Sequence, residues 1–96
     1  PPLKKDADLF YRYSLYLEKL KGKKDYDEIA RYYRIAAAHD HYKAATNLQY
    51  ILSVGQATSP DASKEAIHLA EHFIPMGKKN SRYACQVLEG CNSDNF

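Results

Sequence analysis

The sequence predicts an all-α protein built from antiparallel helical hairpins. Apolar residues recur at intervals of three and four through most of the chain, as they do along one face of an α-helix. Residues that favour helix starts precede these segments, and Gly22, Gly55 and Gly77 follow them. Gly22 and Gly55 are 33 residues apart, as are Leu15 and Leu48, so the helical pattern repeats along the chain. A repeated pattern favours an open array of helices over a closed bundle.

Five helices are predicted, over about residues 6–21, 25–38, 41–54, 60–74 and 80–89. Asp25 and Asp27 place negative charge at the start of the second helix, where the helix dipole favours anions. Ser59 followed by Pro60 predicts an N-cap and first helical position for the fourth helix.

One apolar face is predicted on each helix. The face of the first helix is wide enough to contact neighbours on two sides, and comprises Leu9, Phe10, Tyr13, Tyr16, Leu17 and Leu20. The faces of the next three helices are Tyr26, Ile29, Ala30, Tyr33, Ala36 and Ala37; Ala44, Leu48, Ile51 and Leu52; and Ala66, Leu69, Ala70, Phe73 and Ile74.

The second and third helices carry a motif that resembles the Sel1-like repeat, a relative of the tetratricopeptide repeat. The motif comprises Lys24-Asp25-Tyr26, the segment 32–37 (YYRIAA), the turn at Asp40-His41, and the segment 44–48 (AATNL). Ile29 and Gln49 depart from the pattern, because both replace small residues at tight helix contacts. We expect looser or rearranged packing around them.

The resemblance implies a right-handed superhelix of stacked hairpins. The whole chain, residues 1–96, would form one domain with units at about 6–39 and 40–77 and a partial unit at 78–91. The apolar ends of such an array would allow two copies of the chain to pair.

Composition excludes several classes of partner. The net charge is only +2 and the charges are interspersed, which argues against nucleic-acid binding. No apolar run reaches the roughly 18 residues that a transmembrane segment requires. The chain starts at Pro1-Pro2 without an initiator methionine, so a removed export signal is compatible with it.

The two cysteines, Cys85 and Cys91, leave two interpretations open. A disulfide between them would tie down the C-terminal end and place the protein in an oxidising compartment. Alternatively, Cys85 is buried and Cys91 is incidental. On this basis a periplasmic location is favoured over a cytoplasmic one.

The sequence offers no convincing site for a metal, a cofactor or a reaction. His68 and His72 share one helix face, but it is the side opposite the apolar residues, and further ligands are missing. The turn His39-Asp40-His41 has the polar residues that turns usually have. Cys85 has no evident activating partner, and neither a glycine-rich phosphate loop nor a serine elbow is present. We therefore expect no enzymatic activity and no cofactor.

The chain has nine tyrosines and no tryptophan. Tyr26, Tyr32 and Tyr33 match framework positions of the repeat and are expected to pack between helices, whereas five others lie on the first helix of each unit and suit a protein interface. By resemblance to the tetratricopeptide groove, the first helix of each unit lines a concave surface that binds a partner. The residues expected there are Phe10, Tyr13, Lys43, Thr46, Asn47, Tyr50, Tyr83 and Gln86. Arg31 and Arg34 are expected to pair with Asp27 and Glu28 on the outer face, with little effect on stability.

The resemblance also suggests a function. Proteins of this family are commonly adaptors in bacterial envelope and signalling assemblies, and one subset consists of small immunity proteins that block secreted antibacterial toxins. The expected function is therefore a non-enzymatic, protein-binding module, and more specifically an immunity protein that occludes a toxin. The alternative is an adaptor or scaffold that binds a protein or peptide.

Overall fold

Four helices form the part of the chain that the computed structural model describes, which is residues 4–73, with side chains from residue 6 onward. They are α1 (Lys4–Lys19), α2 (Tyr26–Ala38), α3 (Tyr42–Ser53) and α4 (Ala62–Phe73). No strand occurs among these residues, so the predicted all-α class is confirmed for this part. The predicted fifth helix, Ile74, and the two cysteines lie outside the described residues.

Consecutive helices pack against each other. Phe10 contacts Tyr32, whereas the later Ser14 contacts the earlier Ile29, so α1 and α2 run in opposite directions. The predicted inner faces of α2, α3 and α4 are confirmed by buried Ile29, Ala30, Tyr33, Ala36, Ala37, Ala44, Leu48, Ile51, Leu52, Ala66, Ala70 and Phe73. The main apolar cluster combines buried residues of α1, α2 and α3, and a smaller one combines residues of α2, α3 and α4.

The predicted wide inner face of α1 is wrong for four of its six residues. Helix α1 packs on α2 through the small residues Ala7 and Ser14, which are 1% and 0% exposed. The Ser14 hydroxyl donates to the Ile29 carbonyl over 2.9 Å, so the two backbones approach closely. Phe10 and Leu17 pack at the edge of this contact. The other residues of the predicted face, Leu9, Tyr13, Tyr16 and Leu20, are exposed, although the Tyr13 ring contacts Tyr32 of α2 at one edge. Within residues 4–73, α1 packs mainly against α2.

The helix starts follow local capping chemistry. Asp25 caps α2, since its Oδ1 accepts a hydrogen bond from the backbone N–H of Glu28 over 3.2 Å. At α4 the predicted cap is wrong. Asp61 rather than Ser59 accepts from the first turn, at the N–H of Lys64 over 3.0 Å, and the helix begins at Ala62.

Two structural features recur along the described helices. Gly22 and Gly55 both adopt positive φ, at 99° and 72°, in the turns after α1 and α3. Histidine–carboxylate contacts also recur, from His41 to Asp8 and from His72 to Asp40. These features are compatible with two similar hairpins, but stacking into a right-handed superhelix stays a prediction.

Both residues that depart from the repeat pattern are accommodated in the core. Ile29 is 1% exposed and packs in the main apolar cluster. Gln49 is also 1% exposed, and its Nε2 donates to the carbonyl of Ala66 over 3.0 Å. Its Oε1 has no hydrogen-bond partner among the described residues. Gln49 thus fills the contact between α3 and α4 with one polar atom satisfied. None of the helices in residues 4–73 is long and apolar enough to cross a membrane.

Candidate partner-binding surface

Four large apolar side chains, three on α1 and one at the residue that follows it, form an exposed row that we call the α1 stripe. They are Leu9, Tyr13, Tyr16 and Leu20, with exposed fractions of 63%, 45%, 58% and 44%. Their spacing of four, three and four residues places them on one side of a helix. Contiguous exposed apolar surface of this kind is characteristic of interaction sites.

Tyr32 of α2 supports one edge of the α1 stripe. Its ring lies 5.0 Å from the ring of Tyr13 in an edge-to-face arrangement and 5.9 Å from that of Phe10 in a stacked one. The guanidinium of Arg31 lies 5.0 Å from the centre of the Tyr32 ring, and also donates to its hydroxyl over 3.0 Å. The Tyr13 ring is therefore held at the surface by packing rather than extended freely into solvent.

Four lysines lie within four residues of Leu20, the last residue of the α1 stripe. Lys19, Lys21 and Lys23 are exposed there, and Lys24 donates from its ammonium to the carbonyl of Leu20. Cations at a helix C-terminus are also favoured by the helix dipole, so these lysines contribute to stability as well. The exposed surface at this end of α1 is both apolar and positively charged.

The opposite side of α1 is joined to α3 through polar contacts. Tyr11 stacks on His41 with the ring centres 4.5 Å apart. The Tyr33 hydroxyl donates to the carboxylate of Glu18 and accepts from Nδ2 of Asn47, the latter over 3.2 Å. Burial, and then the hydrogen bond to Glu18, raise the pKa of Tyr33 well above its usual range, so the hydroxyl remains a donor. These groups satisfy one another and hold three helices together.

The residues predicted for the concave surface do not all lie on one side of α1. Some lie in or beside the α1 stripe, and others lie on the side that faces α3. Phe10 and Tyr13 contact Tyr32, whereas Asn47 contacts Tyr33, and adjacent residues of a helix point about 100° apart. Thr46 donates to the carbonyl of Tyr42 over 2.9 Å, and Lys43 and Tyr50 are exposed on α3. Tyr83 and Gln86 lie outside the described residues.

Sequence reasoning did not include Leu9, Tyr16 and Leu20 among the candidate binding residues. It assigned Leu9 and Leu20 to helix packing, and it placed Tyr16 on the first helix but not among the groove positions. The four-three-four spacing was visible in the sequence, but periodicity alone does not tell which apolar face of a helix is covered.

The predicted ion pairs on the outer face of α2 are wrong. Arg34 pairs instead with Glu65 of α4, with nitrogen–oxygen distances of 2.6 and 3.0 Å. Asp27 accepts from the backbone N–H of Thr58 over 2.6 Å. Glu65 and Thr58 both belong to the segment that follows α3, so Arg34 and Asp27 attach α4 and its preceding turn to α2. Pairs between separate elements could not be foreseen from spacing within one helix.

The pKa of Glu65 reflects this environment. Burial alone would raise the pKa of its carboxyl, but hydrogen bonds from Arg34 and from the Ser59 hydroxyl outweigh burial and lower it. Glu65 is therefore held as a carboxylate between two donors.

A cavity of about 420 Å³ lies between α2, α3 and α4. His68 and His72 line it together with Leu69 and Phe73, and both histidines are exposed, as predicted. Nε2 of His72 lies 2.7 Å from Oδ1 of Asp40. Residues 4–73 contain no group of three or more potential metal-ligating side chains.

Comparison with known proteins returned no family model, no curated protein and no solved structure that matches this chain. The resemblance to Sel1-like repeats therefore remains a prediction from the sequence motif.

Proposed function

We propose that this protein is a non-enzymatic binding module, and specifically an immunity protein that binds a secreted antibacterial toxin and occludes its active cleft. The observation that carries the binding role is the exposed α1 stripe. Exposed tyrosines beside apolar and cationic side chains are typical of binding energy concentrated in a few anchors. The immunity role is supported by the sequence resemblance alone.

Tyr13 and Tyr16 are the anchors of the proposed interface. A tyrosine offers a large contact area and loses little rotamer freedom on binding. Tyr13 is already positioned by Tyr32, so less ordering is required when a partner binds. Occlusion then needs only a surface that covers the toxin's cleft, and no reactive group in this chain.

Coexpression tests the proposal. The chain is expressed with each toxin encoded beside its gene, and growth is measured. We expect rescue by the wild type and loss of rescue in Tyr16→Lys, which places a charge in the centre of the α1 stripe. Ser63→Lys adds the same charge at an exposed position of α4 and should still rescue.

A third variant distinguishes the two surfaces. Tyr50→Lys changes the exposed tyrosine of α3, which belongs to the predicted concave surface. Loss of rescue in Tyr50→Lys but not in Tyr16→Lys would place the interface on α3 and contradict the role of the α1 stripe. Absence of rescue against every neighbouring toxin would contradict the immunity role and favour an adaptor.

A further inference from the structure

We propose that the α1 stripe binds an amphipathic helix of the partner protein, whose apolar face is flanked by acidic residues. This inference rests on the proposed binding function and specifies the chemistry of the partner.

The shape of the α1 stripe favours a helix as its occupant. Leu9, Tyr13, Tyr16 and Leu20 repeat with the alternating four- and three-residue spacing of a coiled-coil seam. Such a seam is narrow and straight, and the side chains of a second helix pack between its members. The opposite face of α1 is fixed to α2 by Ala7 and Ser14, so the seam is presented on a rigid support.

The charge around the α1 stripe favours acidic residues in that helix. Lys19, Lys21 and Lys23 are exposed near Leu20. The nearby carboxylate of Glu18 is occupied by the Tyr33 hydroxyl, on the side of α1 that faces α3. Segment 19–25 carries four lysines and one carboxylate, Asp25, so positive charge predominates at this end of α1. Acidic groups of the partner are expected opposite the C-terminal half of the α1 stripe. At the N-terminal end of the stripe, the negative charge of Asp6 would repel them.

The same charges argue against a second copy of this chain as the occupant. If two α1 helices paired in antiparallel fashion, Leu9 would meet Leu20 of the other copy, and Tyr13 would meet Tyr16. Arg12 would then lie beside Lys19 of the other copy on the same flank, twice in each dimer. Like charges in these positions repel, although Asp8 offsets part of the charge of Arg12 over a distance of 2.6 Å.

Two synthetic peptides test the inference with the intact chain. Both are helical and carry leucines at the same four-three-four spacing; one has glutamates and the other lysines at the flanking positions. We expect the glutamate peptide to bind and its Kd to rise at least about fivefold between about 50 and 500 mM NaCl, because salt screens exposed charges. The lysine peptide should bind at least about tenfold more weakly at low salt. Equal binding of the two peptides, or no binding of either, would overturn the inference.

Variants locate the binding site. Tyr16→Lys should reduce binding of the glutamate peptide at least about tenfold, and Ser63→Lys on α4 should leave it unchanged. Circular dichroism confirms that both variants are folded. Unchanged binding by a folded Tyr16→Lys variant would contradict the assignment to α1.

Two further measurements exclude other occupants. Sedimentation of the chain alone reports self-association; a dimer that Tyr16→Lys abolishes would assign the α1 stripe to a second copy instead. Flotation with phosphatidylserine vesicles reports membrane binding; binding that Tyr16→Lys abolishes would assign it to a lipid surface.

Different experimental outcomes would contradict the peptide-binding inference and the immunity role. Selective binding of the glutamate peptide without rescue from any toxin would support the inference and contradict the immunity role. Rescue that persists in Tyr16→Lys would support immunity through another surface and contradict the inference.

Discussion

Nε2 of His41 lies 3.0 Å from Oδ1 of Asp8, so the N-cap residue of α3 is joined to the second turn of α1. The other ring nitrogen, Nδ1, accepts from the backbone N–H of Ala44 over 3.2 Å and caps α3. A neutral ring that accepts a hydrogen bond at Nδ1 carries its proton on Nε2. The Nε2–H group therefore donates a hydrogen bond to the Asp8 carboxylate. The His41 ring thus caps α3 through Nδ1 and contacts α1 through Nε2.

Replacing His41 should separate these two roles. His41→Ala removes the cap and the contact with Asp8, and should lower the free energy of unfolding by about 1–2 kcal/mol. His41→Asn keeps a side chain that can cap α3 but does not reach Asp8, so its loss should be smaller. Urea denaturation measures both. Equal losses in the two variants would show that the cap contributes nothing measurable.

Asp8 should make stability depend on pH in the acid range. The hydrogen bond from His41, and then that from Arg12, lower the pKa of Asp8 below its usual 3.8. A carboxyl whose pKa is lower in the folded state stabilises the protein above the unfolded pKa, and this contribution is lost as pH falls through the folded pKa. The Asp8 side chain is 41% exposed, so the contribution should stay under about 1 kcal/mol.

The comparison with Asp8→Asn isolates this contribution. Between about pH 5 and 2, the wild type should lose more stability than Asp8→Asn, because the amide does not titrate. Thermal unfolding at several pH values measures the difference. Parallel pH profiles for the two proteins would contradict the role assigned to the Asp8 carboxylate.

The sequence predicted the helices and most inner faces because these depend on periodicity and capping within one segment. Buried Ile29, Tyr33 and Leu48 lie at positions that periodicity identified. The exposed side of α1 could not be predicted, since its apolar residues satisfy the same periodicity and only the number of neighbouring helices decides which are covered. The pairing of Arg34 with Glu65 likewise depends on how α4 docks, which no spacing within α2 encodes.

Arg34→Ala should destabilise the attachment of α4. The Arg34 and Glu65 side chains are 34% and 26% exposed, so removal of the guanidinium leaves a partly buried carboxylate with one donor fewer. We expect a loss of about 1–3 kcal/mol in the free energy of unfolding. Glu65→Gln should cost less, because the neutral amide is cheaper to bury than a carboxylate.

A double-mutant cycle with Arg34→Ala and Glu65→Ala measures the coupling directly. We expect a coupling of about 0.5–2 kcal/mol at neutral pH. It should decline as pH falls through the lowered pKa of Glu65, where the carboxylate becomes protonated. Strictly additive single variants at neutral pH would show that the pair contributes no stability.

Gln49 offers a test of whether a buried hydrogen bond or buried volume holds α3 to α4. Its Nε2 bonds to the carbonyl of Ala66, but its Oε1 is buried with no partner in residues 4–73. The Ala66 carbonyl also accepts a backbone hydrogen bond within α4, so it would not be left unsatisfied without Gln49. Loss of the side-chain bond should therefore be offset by removal of the unpaired oxygen.

Gln49→Met keeps nearly the same volume and should change the free energy of unfolding by less than about 1 kcal/mol in either direction. Gln49→Ala leaves a cavity at a position that is 1% exposed, and should cost about 2–3 kcal/mol. Urea denaturation of the two variants measures the difference. If Gln49→Met proved as destabilising as Gln49→Ala, the hydrogen bond to Ala66 rather than packing would be what joins the two helices.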